Sequence, residues 1–208
     1  MRLYVGEQIL AVELDVATHI LCSESPWIYW YDAMQTDPLS LSVADLAIPA
    51  FLGAVPRFSR ILNGKTWTAV QASLDHATLL LNQLSLEDEL AHWEDTQANR
   101  RVLRELFRLT TGGANGGIPG FGPACCTKML HKKRPHLIPI LDRTVMRARG
   151  YSATRWRTDD MVDACFAIGR DVAASEADLR ILIDSGPRPV KWCMKPSAPT
   201  SSLSLSRP

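Results

Sequence analysis

Apolar residues recur at helical spacing along most of the chain after residue 40. Val43, Leu46 and Ala50 fall on one face of such a helix, because positions three and four residues apart share a face. The same period, with capping and breaking residues at its ends, predicts helices over 42–53, 56–62, 67–84, 96–109, 124–133, 142–150 and 158–172. Serine-led acidic segments at Ser85 and Ser175 predict two more helix starts. The pattern therefore predicts an all-α architecture.

The two ends of the chain depart from this pattern. Residues 1–25 form an N-terminal arm, in which the segment from Leu3 to Leu14 fits either a strand pair or a frayed extension. The rings of the aromatic run 27–31 could either pack on the core or stack on unpaired bases. Residues 196–208 are rich in Ser and Pro, which predicts a disordered tail. The predicted helical domain thus covers residues 26–195.

Composition excludes several classes of protein. A chain of 208 residues with 46% hydrophobic and 22% charged residues is typical of a soluble globular protein. No run approaches the ~20 apolar residues that span a membrane, so we expect no membrane partner. Glu7, Glu13 and Asp15 interrupt the N-terminal apolar pattern, which is unlike a signal peptide. The five cysteines are odd in number and unevenly spaced, which favours a reducing, cytoplasmic setting.

The small net charge of +1 hides a strong segregation of charge. Residues 1–97 contain four basic residues against thirteen acidic ones, whereas residues 128–157 contain nine basic residues against Asp142 alone. A basic block of this kind is typical of a site for a polyanion such as DNA. Salt bridges to the acidic half of the chain are the alternative explanation.

A second basic stripe lies on the helix predicted over 96–109. Arg100, Arg104 and Arg108 recur every four residues and so share a face, with Arg101 beside them. These arginines either extend a phosphate-binding face or pair with Glu105 and neighbouring acids.

A glycine-punctuated turn precedes the basic block. Gly120 and Gly122 allow backbone conformations that other residues avoid, and Pro123 suits the first turn of a helix. The free amides at that helix start favour a phosphate. Phe121, between the glycines, is expected to be a buried wedge that fixes the turn.

The segment Pro119-Gly120-Phe121-Gly122, followed by the small Cys126 and the apolar Met129 and Leu130, resembles the hairpin of a helix-hairpin-helix motif over 98–133. Downstream, the chain is similar to the DNA glycosylase superfamily that joins this hairpin to a catalytic aspartate. Asp142 opens the helix 142–150 at the matching place, 20 residues after Gly122, and Arg147 follows it. The resemblance implies a helical bundle of two lobes that binds DNA mainly through its backbone. Over most of its length the chain also resembles a bacterial family of uncharacterised proteins, a likeness that names no activity.

Departures from the superfamily pattern narrow the implied activity. Bifunctional members carry a Schiff-base lysine where this chain has Ala124, so the resemblance implies a monofunctional enzyme without lyase activity. The four-cysteine loop of iron–sulfur members is absent, so no cluster is expected, and no cofactor beyond a monovalent cation at the hairpin carbonyls. No His/Cys cluster has zinc spacing, so no metal site is predicted.

Asp142 is the candidate catalytic residue. Cleavage of an N-glycosidic bond builds positive charge on the sugar, which a neighbouring carboxylate stabilises while it orients the attacking water. Aspartate is also a favoured helix N-cap, and the two roles are compatible.

The candidate DNA contacts combine the hairpin with the basic block. They are Gly120, Phe121, Gly122, Lys128, Lys132, Lys133, Arg134, Arg143 and Arg147. Two alternatives remain open beside a glycosylase: a DNA-binding module without enzymatic activity, and an α-helical domain that binds an acidic protein.

Overall fold

The computed structural model describes residues 2–5, 8–11, 31, 33–112, 117–151 and 156–185. The aromatic residues 27–30 and the tail 196–208 lie outside the described residues, so the predictions made for them are not examined further. None of the described helices is both long enough and apolar enough to cross a membrane.

The described chain is mainly helical, which confirms the all-α prediction. Two short strands, β1 (Arg2–Val5) and β2 (Gln8–Ala11), pair antiparallel at the N-terminus, which is the strand-pair alternative for that arm. A 3-10 helix, Val43–Leu52, comes next, followed by α1 (Phe58–Ile61), α2 (Gly64–Leu81), α3 (Gln97–Thr110), α4 (Pro123–Lys133), α5 (Arg143–Ala148) and α6 (Thr158–Ser185). The two lobes and the helix-hairpin-helix motif stay predictions.

Capping side chains set several of these boundaries. The amide of Ser42 donates to Asp45 Oδ2 at 2.7 Å, which closes a capping box at the start of the 3-10 helix. Gly53 ends that helix with a φ of 70°, a left-handed conformation that favours glycine. Thr96 Oγ1 accepts the amide of Asn99 at 3.2 Å and so begins α3. Thr96 is therefore the N-cap of α3.

Two predicted helix starts are wrong. No helix begins at Ser85, because its amide donates to Asp88 Oδ2 and forms a local turn instead of a helical ladder. The amide of Leu90 donates to the His136 carbonyl at 2.9 Å, which holds this segment against the loop after α4. Ser175 starts no new helix either, since it is buried inside the continuous α6. No glycine or proline between 170 and 177 interrupts α6 there.

The core forms around α3, which packs against α2, α4 and α6. Leu103, Leu106 and Phe107 of α3 are fully buried. The arginine stripe lies on the outer face of α3, and its arginines pair with acids, which was the alternative to phosphate binding. Arg100 bonds Asp95 and, at 2.6 Å, Asp163; Arg104 bonds Asp159 at 2.5 Å; and Arg108 bonds Glu105 at 2.5 Å. Arg100 and Arg104 therefore join α3 to α6, whereas Arg108 pairs within α3.

A close backbone contact between α6 and the loop before α3 can be tested through Gly169. A Cβ at this position would lie 2.6 Å from the Leu90 carbonyl oxygen, so Gly169→Ala must displace that backbone. We expect the free energy of unfolding to fall by about 1–3 kcal/mol, measured by urea denaturation. Gly64→Ala is the matched control, because its Cβ meets open space at the first turn of α2. Equal stability changes in the two variants would contradict the contact.

Candidate nucleic-acid interface

The turn between α3 and α4 is fixed by its own main chain. The amide of Phe121 donates to the Ile118 carbonyl at 3.1 Å, and the Phe121 carbonyl accepts the amide of Gly112 at 2.7 Å. Both Ile118 and Phe121 are fully buried, so the expected wedge role of Phe121 is confirmed. Its prediction as a DNA contact is wrong, because its ring and both of its main-chain polar groups are engaged inside the protein.

Gly120 is the point where the turn meets another part of the chain. It has a φ of +79°, which favours glycine, and its carbonyl accepts the amide of Arg57 at 3.1 Å. A Cβ here would lie 2.9 Å from the Cβ of Arg57 and 3.2 Å from that of Arg60. The short helix α1 therefore rests directly on one side of the turn.

The start of α4 leaves main-chain donors available. Gly122 is the N-cap and Pro123 the first helical residue, and the Cys126 amide donates to the Gly122 carbonyl at 2.9 Å. The amides of Ala124 and Cys125 precede the first intrahelical bond and have no acceptor within the described part of the chain. The Cys125 thiol is buried, and burial raises its pKa. Neutral at physiological pH, it adds no negative charge to a position that favours an anion.

Thr127 of α4 holds the chain segment that leads to Asp142. Thr127 Oγ1 lies 3.2 Å from the Pro123 carbonyl and accepts the Leu141 amide at 3.0 Å. The chain just before Asp142 thus runs beside the first turns of α4. Asp142 itself is half-buried and caps α5, because its Oδ1 accepts the Val145 amide at 2.9 Å. Its Oδ2 has no hydrogen-bond partner among the described residues, so one carboxylate oxygen remains available.

The first two cations of α4 face inward. Lys128 Nζ donates to the Leu52 carbonyl at 2.5 Å, at the C-terminus of the 3-10 helix. Lys132 Nζ donates to the Tyr31 carbonyl at 2.7 Å and lies 5.0 Å from the centre of the Tyr31 ring. Both side chains are half-buried, and the Tyr31 hydroxyl donates in turn to the Lys128 carbonyl at 2.9 Å. These lysines hold the chain before α1 against α4, so their ammonium groups are already occupied.

The prediction of DNA contacts at Lys133 and Arg134 is wrong. Lys133 is 1% exposed, and its Nζ lies 2.7 Å from Asp45 Oδ1 and 2.8 Å from the Asp37 carbonyl. Arg134 is 2% exposed, and burial lowers the pKa of its guanidinium. The guanidinium donates to the carbonyls of Leu81, Leu84, Pro38 and Lys133 at 2.7–3.0 Å. The carbonyls that these side chains reach belong to distant segments, which the sequence pattern does not reveal.

Arg143 and Arg147 lie where a ligand could reach them. Both are exposed on α5, and neither has an ion pair or hydrogen bond from its side chain in the part of the chain that the structure describes. Arg147 therefore does not pair with Asp142. Arg57 and Arg60 beside Gly120 were missed by the sequence reasoning. Nothing in their local sequence connects them to a turn sixty residues away.

The residues present do not favour a cation or a metal at this site. The carbonyls of Ile118 and Gly120 already accept main-chain amides, so the turn does not present a set of free oxygen ligands. Within the described ranges, no group of three or more His, Cys, Asp and Glu side chains could hold a metal ion.

Comparison with known proteins places the chain in a family. Residues 23–183 match the model of DUF6308, which is described as a family of unknown function. The chain belongs to the DUF6308 family. No curated protein and no solved structure matches it. The DUF6308 match includes the turn, α4, Asp142 and α1, and it names no activity.

The buried Lys133–Asp45 pair can be tested by removing its cation. Lys133→Met leaves Asp45, which is 5% exposed, without its charged partner. We expect the free energy of unfolding to fall by about 3–5 kcal/mol, because an uncompensated charge stays buried. Urea denaturation followed by circular dichroism measures the change. Lys65→Met, at an exposed position on α2, should alter stability by less than about 0.5 kcal/mol. If Lys133→Met lowers the free energy of unfolding no more than Lys65→Met does, the pair does not stabilise the fold.

Proposed function

We propose that this protein binds the sugar–phosphate backbone of DNA at the first turn of α4. The observation that carries the proposal is that the amides of Ala124 and Cys125 and the side chains of Arg143 and Arg147 have no partner in the described part of the chain, while Thr127 of α4 holds the residue just before Asp142. Backbone amides at a helix start and arginine side chains are both frequent ligands of phosphate oxygens. Contacts of this kind bind DNA without reading its sequence.

The likeness of the turn to a helix-hairpin-helix motif supports the same ligand. Gly120 adopts the positive φ that such a turn requires, and the small Cys126 lies in the tightly packed interior between α3 and α4. This support does not depend on the basic block, six of whose nine cations are engaged with carbonyls or acids of the protein itself. The proposal therefore depends on a smaller set of residues than the sequence suggested: the two amides, Gly122, Arg143 and Arg147.

Binding should be strongly sensitive to salt, because each phosphate contact releases counterions. We expect the Arg143→Gln, Arg147→Gln double variant to reduce the slope of log affinity against log salt concentration by about 2. Fluorescence anisotropy of a labelled duplex, titrated at several salt concentrations, measures this slope. Arg101→Gln is the control, because Arg101 is exposed near the far end of α3 and has no ion pair or hydrogen bond from its side chain in the part of the chain that the structure describes. Binding of wild type that does not respond to salt would contradict the proposal.

Base excision is a second candidate function, and the free Oδ2 of Asp142 favours it. In that reaction the bond between the sugar C1′ and the base nitrogen breaks, and its electron pair leaves with the base. The carboxylate stabilises the positive charge on C1′, water adds to that carbon, and the proton released from water goes to Asp142. Asp142 Oδ1 can remain bonded to the Val145 amide throughout, so the capping and chemical roles use different oxygens.

Asp142→Asn separates these two roles. Asparagine caps helices as well as aspartate does, so we expect stability and duplex binding to be retained while base release is lost. A panel of duplexes with deaminated, alkylated and oxidised bases measures the release. Asp142→Ala is the comparison variant, because it also removes the cap and should cost about 1 kcal/mol of stability. Base release that persists in Asp142→Asn would show that Asp142 is not the catalytic residue, and its absence from wild type on every duplex would leave only the binding function.

A further inference from the structure

We propose that Arg57 and Arg60 form a second cationic flank of the turn, so that the site takes a strand with consecutive phosphates. This inference rests on the proposed function and specifies its ligand. A strand of this kind differs from a single phosphate group or a mononucleotide, which would engage only one position. The observations that support it are the tertiary contact of α1 with Gly120 and the exposure of both arginines.

The contact fixes the origin of both side chains at the turn. The amide of Arg57 donates to the Gly120 carbonyl, and the Cβ atoms of Arg57 and Arg60 approach the position where a side chain at 120 would begin. Arg57 is the N-cap of α1 and Arg60 lies three residues later within it; the Cβ atoms of both face Gly120, so the two side chains start on the same side of α1. Both are exposed, and neither guanidinium has a partner in the part of the chain that the structure describes.

Cations therefore approach the start of α4 from two separate segments of the chain. α1 contacts the turn at Gly120, before α4 begins, whereas Asp142 and Arg143 follow the segment held by Thr127, one turn into α4. A single phosphate on the amides of Ala124 and Cys125 cannot neutralise arginines that extend from two separate helices. Successive phosphates along one strand can do so, because each carries its own charge.

The rest of the described surface explains why these arginines stand out. Most other cations are engaged with acids or carbonyls: Arg100, Arg104, Arg108, Lys128, Lys132, Lys133, Arg134, Arg149, Arg157, Arg170 and Arg180. Arg57 and Arg60 belong to the acidic half of the sequence, yet neither has an ion pair within the described residues. Unpaired cations held at a turn with free amides form a positive patch suited to a polyanion.

The test compares two double variants and one control by anisotropy with a labelled duplex. We expect Arg57→Gln, Arg60→Gln to weaken binding at least about tenfold at low salt and to reduce the salt slope by about 2. Arg101→Gln should change neither quantity, and unchanged thermal unfolding of the double variant would show that its fold is intact. Competition with inorganic phosphate and with a mononucleotide should leave the duplex bound at concentrations where an unlabelled duplex displaces it.

Each contrary outcome points to a different failure. If Arg143→Gln, Arg147→Gln weakens binding but Arg57→Gln, Arg60→Gln does not, the second flank is overturned while the proposed function stands. Displacement of the duplex by inorganic phosphate or the mononucleotide would overturn the consecutive-phosphate ligand. Equal competition by an acidic polypeptide would overturn it in favour of an acidic protein partner. Wild type that binds no duplex would remove the proposed function together with this inference.

Discussion

The structure depends on cations of α4 that bind main-chain carbonyls inside the protein. Lys128 reaches the end of the 3-10 helix, and Arg134 reaches the end of α2 at Leu81 and Leu84. Carbonyls at helix C-termini lack intrahelical donors and carry partial negative charge, so a cation satisfies them both chemically and electrostatically. A hydrogen bond to a charged group contributes about 1.5–3 kcal/mol, but leaving such a group buried and unpaired costs more. These contacts therefore determine how residues 31–54 and α2 lie against α4.

This arrangement has a direct consequence for the candidate interface. The segment held by Lys128 leads within a few residues to α1, which lies against Gly120. Glycine at 120 is required twice, once for its positive φ and once because a side chain would collide with the Cβ atoms of α1. The internal cations thus position the exposed ones. The cations of 128–134, which seemed to be a binding surface, instead support arginines that come from another part of the chain.

Asp142 shows how one residue can satisfy a structural requirement and still leave chemistry open. Its Oδ1 caps α5, which accounts fully for the choice of aspartate at that position. Its Oδ2 has no hydrogen-bond partner among the described residues and so remains an available acceptor. A capping role and a catalytic role of Asp142 are therefore compatible. Only a measurement of turnover can show whether Asp142 has the second role as well as the first.

Local features were determined by the sequence alone. The helical period, the caps at Ser42, Thr96 and Asp142, and the buried ring of Phe121 follow from residues that act on their immediate neighbours. The failures at Ser85 and Ser175 are of the same kind, since a turn and a helix start use similar side chains. Only the tertiary structure decided whether each charged side chain is buried and paired or exposed. Lys133 and Arg134 look like a solvated basic run, yet their partners lie about fifty to a hundred residues away. Arg57 and Arg60 look unrelated to the turn, yet they rest on it, because charge interacts through space and the sequence gives only its order.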